Sequence, residues 1–255
     1  MIKTLPQLLN KIAITTRNEQ ENLAIVGPVR LPIQQGDFTA TFQWYTWNAF
    51  DQTWSKEKIL EELPNLNLSF GQQSSVLVYG DFENNDDALI RMHSICHTGD
   101  IFGSQRCDCG YQLHESMKMI VEHGCGAIFY LADHEGRGIG LFSKTFAYLL
   151  QEEDFDTVEA NHALGFEDDT RNYADAIKVL TVLRSKPVTL ITNNPKKLAA
   201  LQASGLAATG HIPLWGGVTA ANKHYLETKV EKAGHILGNG GVEDAQRSRV
   251  HVTRA

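Results

Sequence analysis

The sequence predicts an α+β fold in which helices flank a mixed sheet, and two kinds of pattern support this prediction. Residues 38–44 alternate apolar and polar side chains at a period of two, which is typical of a half-buried strand. Residues 127–132 form a continuous apolar run of strand length, and a glycine-rich loop and a helical pattern follow it. Strands grouped early in the chain, with strand and helix alternating later, favour the α+β class.

A chain of 255 residues provides for one large domain or two small ones and is long enough to bury a substantial core. Hydrophobic residues make up 42% and charged residues 21%, and no apolar run approaches the roughly 18 residues that a membrane-spanning helix needs. The formal net charge of −7 argues against a general nucleic-acid-binding protein, because such proteins neutralise phosphates. We therefore expect neither nucleic acid nor a membrane as a partner.

The first 22 residues are predicted to form a peripheral lead with one amphipathic helix. Leu5, Leu8, Leu9 and Ile12 recur there at helical spacing. The same stretch lacks the apolar run and cleavage site of a secretory signal. Because cysteines are few and their spacing is metal-like, we expect the chain to reside in the reducing cytoplasm.

Strands are predicted over four early segments, 23–29, 38–44, 76–79 and 88–95. Residues 48–75 combine a charged run with several Asn, Ser and Gly residues, which indicates an irregular insertion with one helix. The last of the four strands places Arg91 and His93 on one face, because alternate residues of a strand point the same way.

Three of the four cysteines follow that strand with the spacing C-x10-C-x-C. Catalytic zinc sites keep one position open for water or substrate, whereas structural sites are closed by four protein ligands. No fourth ligand is evident near Cys96, Cys107 and Cys109, so we predict a catalytic metal site. The alternative is three buried cysteines that act as small apolar side chains. Asp108 and Arg106 argue against it, because polar surroundings favour the thiolate.

A helix is predicted after Cys109, with Gly124 suited to its left-handed C-cap. The next strand leads into the loop 133–140, whose glycines alternate and do not match the dinucleotide-binding spacing G-x-G-x-x-G. A glycine-rich loop between a strand and a helix can expose backbone N–H groups to an anion. The alternative is a plain turn, and Arg137 within the loop favours anion binding.

A second anion site is predicted where the strand 188–192 leads into a helix. Asn194 is suited to the N-cap and Pro195 to the first helical position. Lys196 and Lys197 follow in the first turn, where the helix dipole disfavours cations. We therefore expect an anionic ligand there, although a solvated surface pair is the alternative.

Six motifs in order resemble the GTP cyclohydrolase II family over about Leu31 to Leu237. They are Arg91 to Gln112 with the three cysteines, Glu135-Gly-Arg-Gly-Ile-Gly-Leu141, Asp156-Thr-Val-Glu-Ala-Asn161, Leu164-Gly-Phe-x-x-Asp169-x-Arg171, Thr192-Asn-Asn-Pro-Lys-Lys197 and His224-Tyr-Leu-x-Thr-Lys-x-Glu-Lys-x-Gly-His235. Their number and order argue against chance similarity. The resemblance implies a single GTP cyclohydrolase II-like catalytic domain over 23–237, with the insertion 48–75, an N-terminal extension 1–22 and a flexible tail 238–255.

The activity that the resemblance implies is the zinc-dependent hydrolysis of GTP in a riboflavin-type pathway. C8 leaves as formate and the outer two phosphates leave as pyrophosphate, which gives a diaminopyrimidinone ribosylamino phosphate. Cys96, Cys107 and Cys109 are the implied ligands of about one Zn²⁺ per chain. We expect Mg²⁺ with the substrate phosphates, because removal of pyrophosphate usually recruits a bridging divalent ion. Family members are usually homodimers, so we expect a homodimer.

The resemblance also implies roles for individual residues. The nucleotide-binding set is Arg91, Met92, His93, Ser94, Ile95, Gln112, Glu135, Gly136, Arg137, Thr157, Thr192 and Lys197. Asp169 corresponds to a proton acceptor, Arg171 to a nucleophile and Tyr148 to a tyrosine that assists at the reacting centre. A guanidinium is always protonated, so charge stabilisation at the phosphates is the easier role for Arg171. Asp169 has the alternative role of a helix N-cap, and Asp168 is a competing proton acceptor.

Three positions depart from the family pattern. Ile95, Asp133 and Asn172 stand where the family usually has glutamate, arginine and aspartate, and the change at Asp133 is expected to reverse a charge near the phosphates. These departures leave two alternatives to GTP hydrolysis. One is a paralogue that opens the ring of another purine or pyrimidine nucleotide, and the other is a nucleotide-binding regulator without turnover. The open cysteine site argues against the regulator.

Overall fold

The computed structural model describes residues 6–36, 38–71, 73–216, 218–219, 222, 226, 230 and 234–235. Its strands are β1 (Ile12–Thr16), β2 (Glu21–Gln35), β3 (Phe38–Asp51), β4 (Ser75–Tyr79), β5 (Leu89–Ser94), β6 (Gly126–Leu131), β7 (Val188–Ile191) and β8 (Ala207–Ile212). Its helices are α1 (Pro6–Leu9), α2 (Lys56–Glu62), α3 (Cys109–His123), α4 (Gly140–Glu152), α5 (Thr157–Ala163), α6 (Ala174–Leu183) and α7 (Pro195–Ala203). None of the described helices combines the length and apolarity needed to cross a membrane.

The eight strands form one mixed sheet in the order β1-β2-β3-β4-β6-β5-β7-β8. The first four strands pair with their neighbours antiparallel, and β4 also pairs antiparallel with β6. From β6 onward the strands β6, β5, β7 and β8 run parallel. Helices α3 and α7 connect parallel strands, so the carboxyl ends of β5, β6 and β7 lie at one edge of the sheet. The predicted α+β class with a mixed sheet is confirmed.

Both faces of the parallel half are buried, and each face has its own helices. One face packs α6 and α7 against the sheet through Ile90, Phe129, Leu190, Val179, Leu180 and Leu201. The other face packs α3 against it through Leu89, Ile128, Ile191, Met117 and Ile120. The side chains of neighbouring residues in a strand therefore pack into the clusters on opposite faces of the sheet, as expected from their alternation along a strand.

The prediction that Ile12 belongs to the N-terminal helix is wrong. Helix α1 ends at Leu9, and Ile12 opens strand β1, where it pairs with Val26. Ile12 is 3% exposed because it packs against Ile59 of α2 in a small separate cluster. Tertiary pairing and the β-branched run from Ile12 to Thr16 override the helical spacing. Leu5, the first residue of that pattern, lies outside the described residues.

The described part of the segment 48–75 contains the predicted α-helix, which two short 3-10 turns follow, and the ends of the segment belong to strands. β3 continues to Asp51 and β4 begins at Ser75. Helix α2 starts at a Ser55 N-cap, whose side chain accepts a hydrogen bond from the backbone N–H of Lys58. The predicted tail 238–255 lies outside the described residues, and so does most of the motif 224–235.

Candidate active site

A cleft lies beyond the carboxyl ends of β5, β6 and β7, where the chain leaves each strand for a loop. Its empty space is about 1500 Å³, which includes its solvent-open mouth. Ligands of open sheets with parallel strands commonly bind at this edge, because the loops after neighbouring strands converge there. The motifs selected from the sequence meet in this cleft.

All the predicted site residues except Met92 line the cleft. They are Arg91, His93, Ser94, Ile95, Cys96, Cys107, Cys109, Gln112, Glu135, Gly136, Arg137, Tyr148, Thr157, Asp169, Arg171, Thr192 and Lys197. The Met92 side chain is 2% exposed in the core on the α6 and α7 face of β5. Its carbonyl oxygen accepts a hydrogen bond from Lys197 Nζ at 2.7 Å, so any part that Met92 plays in the site involves its backbone.

The three cysteines form a compact cluster on one wall of the cleft. Cys96 follows β5, Cys109 is the first residue of α3, and Cys107 lies just before that helix. Their sulfur atoms all lie within 4.8 Å of one another, and Cys96 Sγ is 3.6 Å from Cys107 Sγ. Among the described residues no His, Asp or Glu side chain completes the cluster. The arrangement could hold a metal ion and leave one position open.

Gly99 lies directly against this cluster and adds no side-chain atoms to it. A Cβ at this position would lie 3.0 Å from Cys107 Sγ and 3.2 Å from Cys96 Sγ.

The protonation of the three cysteines also fits a bound cation. Bonds from Cys107 and Cys109 lower the pKa of Cys96 far below its ordinary value. Cys109 lowers the pKa of Cys107, but the bond to Cys96 and burial outweigh it and raise this pKa to about 11. A divalent cation would allow all three to be thiolates.

A buried polar network holds the first cysteine in place. The Asp100 carboxylate, 2% exposed, accepts hydrogen bonds from the backbone N–H of Cys96 at 2.9 Å and from Tyr130 Oη at 3.1 Å. It also contacts His93 Nε2 at 3.0 Å, while Arg91 Nε donates to His93 Nδ1 at 3.3 Å. Nδ1 is thus an acceptor, so the proton is on Nε2 and His93 donates to Asp100. Neither Asp100 nor Tyr130 was among the site residues predicted from the sequence.

Lys144 is a second residue that sequence analysis missed. It lies on α4, one turn before Tyr148, and its side chain is 10% exposed. Lys144 Nζ donates to Glu135 Oε1 at 2.6 Å and to Cys96 Sγ at 3.3 Å. The spacing of four residues from Tyr148 places both side chains on one helix face. That spacing is the signal that could have found it.

Asp169 and Arg171 form a bidentate ion pair. Arg171 Nε and Nη2 each donate to a different oxygen of Asp169 at 2.7 Å. Burial raises the pKa of Asp169, but the bonds and charge of Arg171 outweigh it and lower this pKa to about 2. The carboxylate is therefore a weak base that orients the guanidinium. The alternative role of Asp169 as N-cap is wrong, because α6 begins after Tyr173.

We predict that Asp169→Asn loses about 2 kcal/mol of unfolding free energy at pH 7, since one pKa unit corresponds to about 1.4 kcal/mol. The pKa of this carboxyl is lowered in the folded state, so its contribution is present above the ordinary value of 3.8 and is lost as pH falls towards 2. Urea unfolding of both proteins at pH 7, 4 and 3 measures the difference. A difference that does not shrink with falling pH would contradict the prediction.

His134 and Ser94 connect Arg171 to the segment that follows it. Arg171 Nη1 donates to Ser94 Oγ, which lies 3.2 Å from His134 Nδ1. His134 Nε2 donates to the Asn172 carbonyl oxygen at 2.9 Å, so Nδ1 is left to accept the Ser94 proton. Burial lowers the pKa of His134 to about 4, and the ring is neutral at pH 7.

Of the three departures from the family pattern, only Ile95 lines the cleft. The Asp133 side chain is 65% exposed and accepts from Ser74 Oγ at 3.3 Å, outside the cleft lining. Asn172 Oδ1 accepts from the backbone N–H of Ala174 at the start of α6, and Asn172 does not line the cleft either. The expected charge reversal near the phosphates at Asp133 is therefore not supported.

Basic side chains also line the cleft. Arg137 lies in the predicted glycine loop with φ +66°, and Lys196 is 64% exposed at the start of α7. The N-cap is confirmed, because Asn194 Oδ1 accepts from the backbone N–H of Lys196 at 2.9 Å. Lys197 is 9% exposed, so the two lysines are not a solvated surface pair. These cations and the N-terminal end of α7, which borders the cleft, favour an anionic ligand.

Tyr148 is on α4 and lines the same cleft as the cysteines. Its hydroxyl lies 3.3 Å from Thr98 Oγ1, and the Arg106 guanidinium stacks over its ring at 4.6 Å. Burial raises the pKa of Tyr148, so the phenol is neutral at pH 7 and has a proton to donate.

Asn161 is a further cleft residue outside the predicted set. It is 2% exposed on α5, one turn after Thr157, and both residues line the cleft. Its Nδ2 has no hydrogen-bond partner among the described residues. A buried amide donor without a partner is costly, and a ligand oxygen would satisfy it. Asn161 ends a motif that sequence analysis quoted, so the motif itself was the available signal.

Comparisons with known proteins agree with this arrangement. The family model for GTP cyclohydrolase II matches residues 29–213. The riboflavin biosynthesis protein RibBA of Bacillus velezensis is 48% identical over 168 residues, which are 66% of this chain and 42% of the relative. The monofunctional riboflavin biosynthesis protein RIBA 3, chloroplastic, of Arabidopsis thaliana is 47% identical over 166 residues, 65% of this chain and 33% of the relative. The chain spans less than half the length of these relatives.

Proposed function

Because the chain belongs to the GTP cyclohydrolase II family, we propose that it opens the imidazole ring of GTP by hydrolysis in riboflavin biosynthesis. C8 would leave as formate and the two outer phosphates as pyrophosphate, giving a diaminopyrimidinone ribosylamino phosphate. One observation carries this proposal. The three-cysteine cluster, which has an open side, shares a single cleft with Arg137, Arg171 and Lys196. Ring opening and phosphate binding need these two kinds of group in one site.

Cys96, Cys107 and Cys109 would hold one zinc ion, as the close sulfur atoms and the free space beside Gly99 support. Zinc in an open site supplies a water of lowered pKa that is a strong nucleophile near neutral pH. Asp100 positions Cys96 through its backbone, and Gly99 keeps side-chain atoms out of the cluster. The protein thus contributes a rigid site with one free side.

The remaining polar residues divide between proton transfer and charge. Tyr148 is a neutral phenol near the cysteines and would donate a proton to the ring nitrogen that is released. Arg171, oriented by Asp169, would stabilise negative charge on the phosphates, since a charged guanidinium is a poor nucleophile. We expect Mg²⁺ to enter with the triphosphate. The unpaired amide of Asn161 would donate to an oxygen of the nucleotide.

A second candidate function is favoured by Ile95, which lines the cleft directly before Cys96. An apolar side chain at the position where the family usually has glutamate removes a charged group from the substrate wall. A paralogue that opens the ring of another nucleotide would use the same cysteines and tyrosine.

A panel of purine and pyrimidine nucleotides, tested with zinc-loaded protein and magnesium, distinguishes these functions. Mass spectrometry would score formate and pyrophosphate. We expect both products from GTP in equal amounts. Release of formate from another nucleotide but not from GTP would establish the paralogue. Binding without any product would favour the nucleotide-binding regulator.

We predict that Ile95→Glu changes the preference between GTP and its best competitor in this panel by about tenfold or more, because it adds a charge to the cleft wall. The ratio of kcat/KM values for the two nucleotides measures it. Asp133→Arg is the control, since that side chain is exposed outside the cleft lining. An equal effect of both substitutions would show that Ile95 has no particular role in selecting the nucleotide.

We also propose that the protein acts as a homodimer in the cytoplasm. All four cysteines are free, which suits a reducing compartment. On α4, Phe142 is 79% exposed and Phe146 47% exposed, and such exposed apolar side chains are commonly covered by a partner. Sedimentation analysis of the purified chain would determine the oligomeric state.

A further inference from the structure

A buried ammonium group lies directly against the three-cysteine cluster. Lys144 is 8% exposed, and its Nζ has three acceptors: Glu135 Oε1 at 2.6 Å, Cys96 Sγ at 3.3 Å and Thr98 Oγ1 at 3.3 Å. An ammonium has three N–H donors, so the acceptors match its donors in number. We propose that Lys144 is a positioning residue of the metal site, whose charge offsets the excess negative charge of the bound thiolates. This inference rests on the proposed function and extends its zinc site.

The charge balance gives the physical reason. Three thiolates and one divalent cation leave a net charge of −1, and an uncompensated charge is costly when it is buried. Cys96 is 6% exposed and Cys107 8% exposed, so water screens these two sulfur atoms little. A cation in direct contact with Cys96 Sγ stabilises the thiolate form and hence the bound state of the metal.

The ion pair with Glu135 does not by itself account for the position of Lys144. Glu135 Oε2 accepts from the backbone N–H of His97 at 2.7 Å, and Oε1 accepts from the backbone N–H of Gly136 at 3.1 Å. The carboxylate therefore has two backbone donors of its own. Lys144 Nζ also donates to Cys96 Sγ and to Thr98 Oγ1. Thr98 Oγ1 itself lies 3.6 Å from Cys96 Sγ.

The test measures metal affinity in the full chain. Lys144→Met keeps much of the side-chain volume and removes the charge. In competition with a chromophoric chelator we expect zinc to bind about 10–100-fold more weakly, the range typical for loss of a group that contacts a metal ligand. The matched control is Lys118→Met on α3, a lysine 53% exposed in an ion pair with Glu122 at 3.8 Å, and its zinc affinity should equal that of the wild type.

Cobalt substitution gives a second readout. Loss of an N–H donor raises the energy of the sulfur lone pairs, so the thiolate-to-cobalt charge-transfer band of Lys144→Met should move to longer wavelength. A purely structural ion pair with Glu135 would leave this band in place. An unshifted band together with wild-type zinc affinity would overturn the inference.

The double variant Lys144→Met with Glu135→Gln removes the whole ion pair and leaves no unpaired carboxylate. We expect its zinc affinity to stay about tenfold below that of the wild type, since the sulfur contact is still missing. Wild-type affinity in the double variant would assign the loss in Lys144→Met to Glu135 alone and overturn the inference. If the wild type itself bound no zinc, the proposed metal site would fail first, so the two failures are distinguishable.

Discussion

Replacing Cys107 with serine is expected to reduce bound zinc from about one per chain to background and to abolish formate release. Cys107 Sγ lies 3.6 Å from Cys96 Sγ, and a hydroxyl is a much weaker ligand for zinc than a thiolate. Because loss of an outer partner alone costs about 10–100-fold in affinity, loss of a ligand should cost more than about 100-fold. Metal analysis of the purified variant and the formate assay measure the two effects.

Cys125→Ser is the matched control. Cys125 is 1% exposed and donates from Sγ to the Asp81 carbonyl oxygen at 3.6 Å, and it is not part of the cysteine cluster. The control should keep its zinc and its turnover, so any effect of losing a thiol as such would be visible. Unchanged zinc in Cys107→Ser would contradict the metal assignment.

Arg171→Lys is expected to lower kcat by about 100- to 1000-fold, the range for removal of one donor that stabilises a developing charge. The substitution keeps the charge, but an ammonium cannot reproduce the two parallel bonds to Asp169 at 2.7 Å together with the bond to Ser94. The KM for the nucleotide should change much less than kcat, since the charge that attracts the phosphates remains. Steady-state formate release gives both constants.

Arg17→Lys provides the matched control for this substitution. Arg17 Nε donates to Asp175 at 2.9 Å, and its side chain is 36% exposed and does not line the cleft. We expect wild-type kinetics from it. A wild-type kcat in Arg171→Lys would show that Arg171 acts through its charge alone. Its orientation by Asp169 would then have no catalytic consequence.

Much of the fold and site could be predicted because the signals are local. The alternation in β3, the apolar run of β6 and the N-cap at Asn194 each depend on a few neighbouring residues. Likewise, the spacing of the three cysteines alone predicted that they would meet, and they do.

What could not be predicted depends on contacts between distant segments. Ile12 is in a strand because Val26 pairs with it, and no helical spacing reveals that partner. Lys144 is separated by 48 residues from the sulfur atom that it contacts. Asp133 was expected near the phosphates because the family usually has arginine at this position, but its side chain is exposed and does not line the cleft.

Gly99 changes how this site should be recognised in other sequences. A methyl group at this position would lie 3.0 Å from Cys107 Sγ and 3.2 Å from Cys96 Sγ, so these sulfur atoms would have to shift by a few tenths of an ångström. A chain could therefore keep all three cysteines and still hold their sulfur atoms in positions less suited to a metal ion. The sequence signature of the site is accordingly C-x2-G-x7-C-x-C, and a homologue that retains the three cysteines without this glycine is expected to bind the metal more weakly.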